Sequence, residues 1–217
     1  MKNKLIQFIL IYSILFLFVP LTVKAETIDV NSFDELKEAI ANGEEEINIR
    51  SAISFDSSIS ISTNVIINGN ENVLSRDSSY TAGLFTVTST GNLTIKNIVI
   101  DCGAPNWTMD YDNKYYTGAN NTGYIRVPTL NYGSDILATA SLISNSGDLI
   151  IEDSTIKNSF SSVTGSILKG TGNNSIKNST IEHTGSKTSG GSIYLTGGTL
   201  ELVGSVFKGN VDRKSVV

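Results

Sequence analysis

Four segments of the chain share one skeleton: GNLTIKNIVID from Gly91, GDLIIEDSTIK from Gly147, GNNSIKNSTIE from Gly172 and GTLELVGSVFK from Gly198. The starts at 91, 147, 172 and 198 are 56, 25 and 26 residues apart. A second phrase keeps the same step, with ASLI at 140, GSIL at 165, GSIY at 191 and GLF at 83 as an earlier member. A fixed period of about 25 residues means stacked units, none of which buries its apolar face without its neighbours. Leu93 and Ile95, Leu149 and Ile151, and Leu200 and Leu202 alternate with polar residues, as half-buried strands do. The third copy departs, with Asn174 where a leucine is expected.

Past a break the inward pair resumes as Ile98 and Ile100, Ser154 and Ile156, Ser179 and Ile181, and Ser205 and Phe207. Asn97, Asp153, Asn178 and Gly204 align at the break, and these residue types best tolerate a left-handed backbone. One such residue between two strands turns the chain sharply without a loop. Three strands and their corners in each 25-residue turn describe a parallel β-helix, an all-β solenoid in which every strand pairs with its counterpart one coil away. Leucine-rich repeats share the period, but here a second alternating strand, not a helix, follows each corner.

The segment NSFDELKEAIANG carries a capping box, Ser32 with Glu35, an apolar face of Phe33, Leu36 and Ile40, and a stop at Asn42-Gly43. A short helix there is expected to close the first coil and hide its strand edges. The cap spans 26–46 and the β-helix 47–217. The last repeat begins at Gly198 and another GSIY-type strand is due where the sequence stops at Val217, so further coils are expected in a longer, C-terminally continued protein.

Residues 1–25 stand apart from the repeats. Lys2 and Lys4, an apolar run from Leu5 to Val19, Pro20 and the small-residue site Val23-Lys24-Ala25 form the pattern of a secretory signal peptide. The run is short for a membrane span, and no later stretch is long and apolar enough for one. Without Lys2, Lys4 and Lys24 the formal charge moves from −5 to −8, which argues against nucleic-acid partners. Cys102 is the only cysteine, so no intrachain disulfide forms.

The order of FDELKEAIANG, NVIINGNENVLS and LFTVTSTGNLTIKNIVID resembles the N-terminal half of pectate-lyase-like right-handed β-helix proteins, in particular the adhesive surface-protein branch of Gram-positive bacteria. The stretch from GGSIY to FKGN is similar to repeats of bacterial polymorphic surface proteins and autotransporter passengers. The resemblance implies an exported protein of the cell surface or cell wall, an adhesin or stalk whose partners are polysaccharide or a cell-surface protein. The alternative it leaves is the N-terminal part of a polysaccharide lyase or glycoside hydrolase with its site beyond residue 217.

Glycoside hydrolysis needs two nearby carboxylates. The ladder through Glu152 reads Lys96, Glu152, Lys177, Val203 and holds no second acid. RVP at Arg126 to Pro128 matches only the start of a pectate-lyase arginine motif, since Asn131 stands where the second arginine belongs. His183, the only histidine, aligns with Cys102, Asn158 and Gly209 at a turn. No catalytic set, metal site or cofactor is assigned from these residues. The excess length between the first two repeats falls in 102–139, which holds Trp107 and five of the eight tyrosines, Tyr111, Tyr115, Tyr116, Tyr124 and Tyr132. Long excursions from rigid scaffolds carry binding residues, and aromatic faces suit sugar rings or protein partners. These six are the candidate binding residues. The competing expectation is a loop draped over the coils, or an extra irregular coil.

Overall fold

The computed structural model describes residues 27–103, 108–117, 122–131 and 138–212; the signal-like segment 1–25 lies outside them. The repeats form a parallel β-helix with one short helix at its start. Seven strands make the first sheet, at 27–30, 46–49, 64–68, 92–96, 148–152, 173–177 and 200–203. Six make the second, at 53–55, 73–76, 99–101, 155–157, 180–182 and 206–208, and five the third, at 59–61, 85–87, 143–145, 168–170 and 193–195. Two-residue strands at 160–161, 185–186 and 211–212 add a small fourth sheet between second and third in the later coils. All pairings between coils are parallel and join residues one turn apart.

Register converts the sequence pattern into columns of like residues. Ile28, Ile47, Ile67, Ile95, Ile151, Ile176 and Leu202 stack along the first sheet. Ile53, Leu74, Ile100, Ile156, Ile181 and Phe207 stack along the second. From Ile47 to Ile181 these side chains are sealed from solvent, each burial stabilising by roughly 1.5–3 kcal/mol. Leu200, Leu202, Val206 and Phe207 in the last described coil are exposed.

The break is a single left-handed residue in the later coils: φ is 51° at Asn97, 49° at Asp153, 47° at Asn178 and 61° at Gly204. A rotated corner interrupts the backbone ladder, and serines repair it. Ser154 Oγ accepts from the Ile98 N–H at 3.3 Å, Ser179 Oγ from Ser154 N–H at 3.2 Å, and Ser205 Oγ from Ser179 N–H at 3.2 Å. The Ser154 and Ser179 hydroxyls donate onward to carbonyls two residues back at 2.7 Å. The serines at the inward positions are therefore hydrogen-bonded structural groups, which is what makes their burial tolerable.

The turn after the second sheet uses the same device, with φ of 56° at Asn158, 50° at His183 and 61° at Gly209. His183 thus sits at a turn, as its alignment with Asn158 and Gly209 predicts. In the first repeat the left-handed residue is Gly103, one beyond Cys102.

The third sheet corrects one alignment. The phrases GSIL and GSIY match Leu168 with Tyr194, but Leu168 pairs with Ile193. The N–H groups of Ile167 and Leu168 both donate to the Ser192 carbonyl, at 2.9 and 3.2 Å, so two residues face one as in a bulge. Tyr194 consequently faces the outer column with Lys169.

The helix α1, Phe33–Ala41, closes the N-terminal end. Ser32 Oγ accepts from the Glu35 N–H at 3.2 Å, as in a capping box, whereas the Glu35 carboxylate accepts from the Asn31 N–H at 2.7 Å, one residue before the N-cap N–H that the reciprocal bond of a capping box uses. Phe33, Leu36, Ala39 and Ile40 are buried beneath it. Phe33 lies against Phe55 with ring centroids 4.8 Å apart, and Phe55 meets Phe85 edge-on at 5.3 Å, so aromatic contact links helix, second sheet and third sheet.

Candidate functional site

The excursion opens at the corner between the second and third sheets. Its root is tied down by Asp101. The carboxylate oxygen Oδ1 accepts from the Gly103 N–H at 3.0 Å and from Asn158 Nδ2 at 2.9 Å, and Oδ2 lies 3.4 Å from Lys157 Nζ. The return is fixed by Ala138, which bridges Ser161 in parallel and donates its N–H to Phe160 at 2.9 Å, and by Thr139 N–H to Thr81 at 2.8 Å.

Between these anchors the described residues are paired strands. Thr108–Thr117 and Thr122–Asn131 pair antiparallel over ten residues and form a two-stranded ribbon, a sheet of its own. The signal was present in the sequence: two β-prone runs separated by GANN, a hairpin pattern that the high aromatic content overshadowed.

The ribbon sorts the candidate residues. Tyr115 pairs with Tyr124, Tyr111 with Pro128 and Met109 with Leu130. Strand alternation and register place all six residues on one face. Asn113 and Arg126 form the rung between the tyrosine rungs on that face. Tyr116, paired with Gly123, belongs to the opposite face with Asp110, Asp112 and Lys114. Trp107 and Tyr132 lie outside the described residues.

The outer faces of the coils are polar and of mixed sign. The third sheet, which borders the corner where the ribbon emerges, presents the column Ser60, Thr86, Ser144, Lys169 and Tyr194. On the first sheet the column Lys96, Glu152, Lys177, Val203 is in register as read, and Lys177 Nζ reaches Glu201 at 3.6 Å. A shallow groove beside it is lined by Asn92, Asp148, Asn173, Ser175, Thr199 and Glu201. Its side chains are largely occupied with one another: Asn173 donates to Asp148 at 3.1 Å, Thr199 to Asn173 at 3.1 Å and Ser175 to Glu201 at 2.7 Å. Among the described residues no group of three or more His, Cys, Asp and Glu side chains could hold a metal ion, and no helix is long and apolar enough to cross a membrane.

The Asp101 anchor is pH-dependent. Burial works to raise its pKa, but the Asn158 amide, the Gly103 N–H and Lys157 together outweigh burial and hold the carboxyl below its ordinary value of 3.8. A depressed folded-state pKa contributes stability that is full above the unfolded value and is lost as pH falls through the folded one. Proteolysis within 104–137 by an acid-active protease is therefore expected to accelerate as pH drops below about 3.9, the unfolded aspartate value. With a protease active at neutral pH, Asp101→Ala should be cleaved faster than the unaltered protein; equal rates for both would remove Asp101 from this role.

Comparison with protein families, curated proteins and solved structures finds no match to this chain.

Proposed function

We propose that this protein is an exported β-helix module of the cell surface or cell wall, an adhesive or structural stalk that binds glycan or protein through its ribbon. The observation carrying this reading is the pairing of a regular, polar-faced solenoid with one ribbon of two ten-residue strands whose register puts Tyr111, Tyr115 and Tyr124 on a single face. A regular column that carries one tyrosine-bearing ribbon as a separate sheet is suited to presenting a ligand contact. The signal-like segment 1–25 supports export, and the resemblance to the adhesive branch of pectate-lyase-like β-helix proteins supports the surface location.

Joint replacement of Tyr111, Tyr115 and Tyr124 by alanine is expected to weaken binding to immobilised cell-wall polysaccharide or to host-cell surfaces by about tenfold or more. The melting temperature should stay unchanged, because the ribbon is a sheet apart from the coils. Tyr116→Ala, on the other face, is expected to keep most of the binding, and Trp107→Ala extends the test to the ribbon's approach. Binding that survives the triple replacement while the melting temperature falls would make the tyrosines packing groups and put the contact elsewhere.

A further inference from the structure

The ribbon has two outer strand edges, and they differ. Strand 122–131 carries Pro128, which has no N–H; proline is accommodated in a strand where that side faces away from the neighbouring strand. The outer edge of 122–131 thus lacks a donor near its middle. Strand 108–117 contains no proline. The pairing of Tyr111 with Pro128 also fixes which groups on that strand are free. If Pro128 turns its nitrogen outward, its partner Tyr111 turns its N–H and C=O outward too, and by alternation so do Met109, Asn113, Tyr115 and Thr117. Asn113 is the centre of these five.

The sequence around Asn113 is self-complementary. Asp112 and Lys114 flank it, and Tyr111 and Tyr115 flank those. An antiparallel copy aligned on Asn113 sets Asp112 opposite Lys114 twice and Tyr111 opposite Tyr115 twice, while the free backbone groups of both edges overlap fully. Centring the pairing on Tyr111 instead would set Asp110 against Asp112, a like-charge contact that disfavours this register. Centring it on Tyr115 would leave Asp112 beyond the end of the partner strand. A two-stranded ribbon alone is marginal in water, whereas four strands are not.

We propose that two copies of this chain pair edge to edge through residues 108–117, antiparallel about a two-fold axis at Asn113, to make one four-stranded sheet. Such an interface is isologous and closes at two copies. It brings the tyrosine-bearing faces of both ribbons onto one side of the joined sheet, and it holds whether or not that face contacts a ligand.

The test is a charge exchange read by sedimentation equilibrium. The unaltered protein is expected to form a dimer at micromolar concentration. Asp112→Lys and Lys114→Asp, each turning two attractive pairs into repulsive ones, should weaken association by about tenfold or more. The double exchange D112K/K114D restores the pairs and should restore the dimer, which excludes misfolding as the cause. As an independent readout, Asn113→Cys in a Cys102→Ser background should form a disulfide-linked dimer on mild oxidation. A monomer throughout overturns the proposal. So does association indifferent to both single reversals, which would assign it to the exposed apolar residues of the last coil.

Discussion

Replacing Gly172 by alanine should destabilise the protein by about 3 kcal/mol or more, although the change adds one methyl group. An alanine Cβ there would lie 2.2 Å from the Gly147 carbonyl oxygen and 2.8 Å from the Gly147 nitrogen, both backbone atoms of the coil before it. That carbonyl already accepts from the Asn173 N–H at 2.9 Å, so it cannot retreat without loss of the ladder. The same contact recurs down the stack: a Cβ at Gly147 would meet the Gly91 oxygen at 2.2 Å, and one at Gly91 the Ile61 oxygen at 2.2 Å. The glycine that opens each copy of the phrase is there because successive coils touch backbone to backbone at this corner. Gly197→Ala is the control. Its Cβ would meet nothing closer than a Thr171 atom at 3.5 Å, an ordinary contact, and should be nearly neutral. Urea unfolding of both variants decides the matter: equal midpoints would show that the corner yields, and that the repeated glycine needs another reason.

Phe55→Ala is expected to cost about 3–5 kcal/mol, the range for removing a fully buried aromatic ring. Phe55 is completely enclosed and is the middle member of the contact from Phe33 to Phe85. Its loss leaves a void beneath α1, so the helix should loosen before the coils do. Hydrogen exchange would then rise first in residues 33–41. Uniform acceleration across all sheets would mean that cap and coils form one cooperative unit.

The sequence made the stack readable because register in a solenoid repeats: an inward residue in one coil predicts the residue above it. Corner residues were legible for a different reason, since few residue types accept a positive φ and their recurrence at one place is conspicuous. Asn174 shows what periodicity alone misses. It occupies a core column between Leu149 and Leu200, and its Oδ1 accepts at 2.7 Å from Nδ2 of Asn145, which holds a core position on the neighbouring sheet. Asn174 Nδ2 donates to the carbonyls of Gly172 at 2.7 Å and Thr199 at 3.1 Å. A departure in one repeat is matched by a departure on another sheet, and no single-column alignment relates the two. The serine ladder escaped notice for a similar reason, because Ser154, Ser179 and Ser205 look like weak core residues until their hydrogen bonds are seen. The excursion was found by its length and composition, but its conformation was not, since aromatic content says nothing of strand pairing. Of the six aromatic candidates the ribbon unites three on one face and separates Tyr116 from them.

Parallel coils also have a mechanical direction. The hydrogen bonds that join one coil to the next run along the axis of the stack, so tension applied between its two ends loads them lengthwise and an end coil carries the strain first. Such a column gives way one turn at a time. Each 25-residue coil that peels off adds up to about 80–90 Å of extended chain, the reach of that many residues. In the later coils the corners between first and second sheets are only two residues long and hold little slack, which favours stepwise yielding. A column built this way lengthens under load in increments and keeps its remaining turns folded.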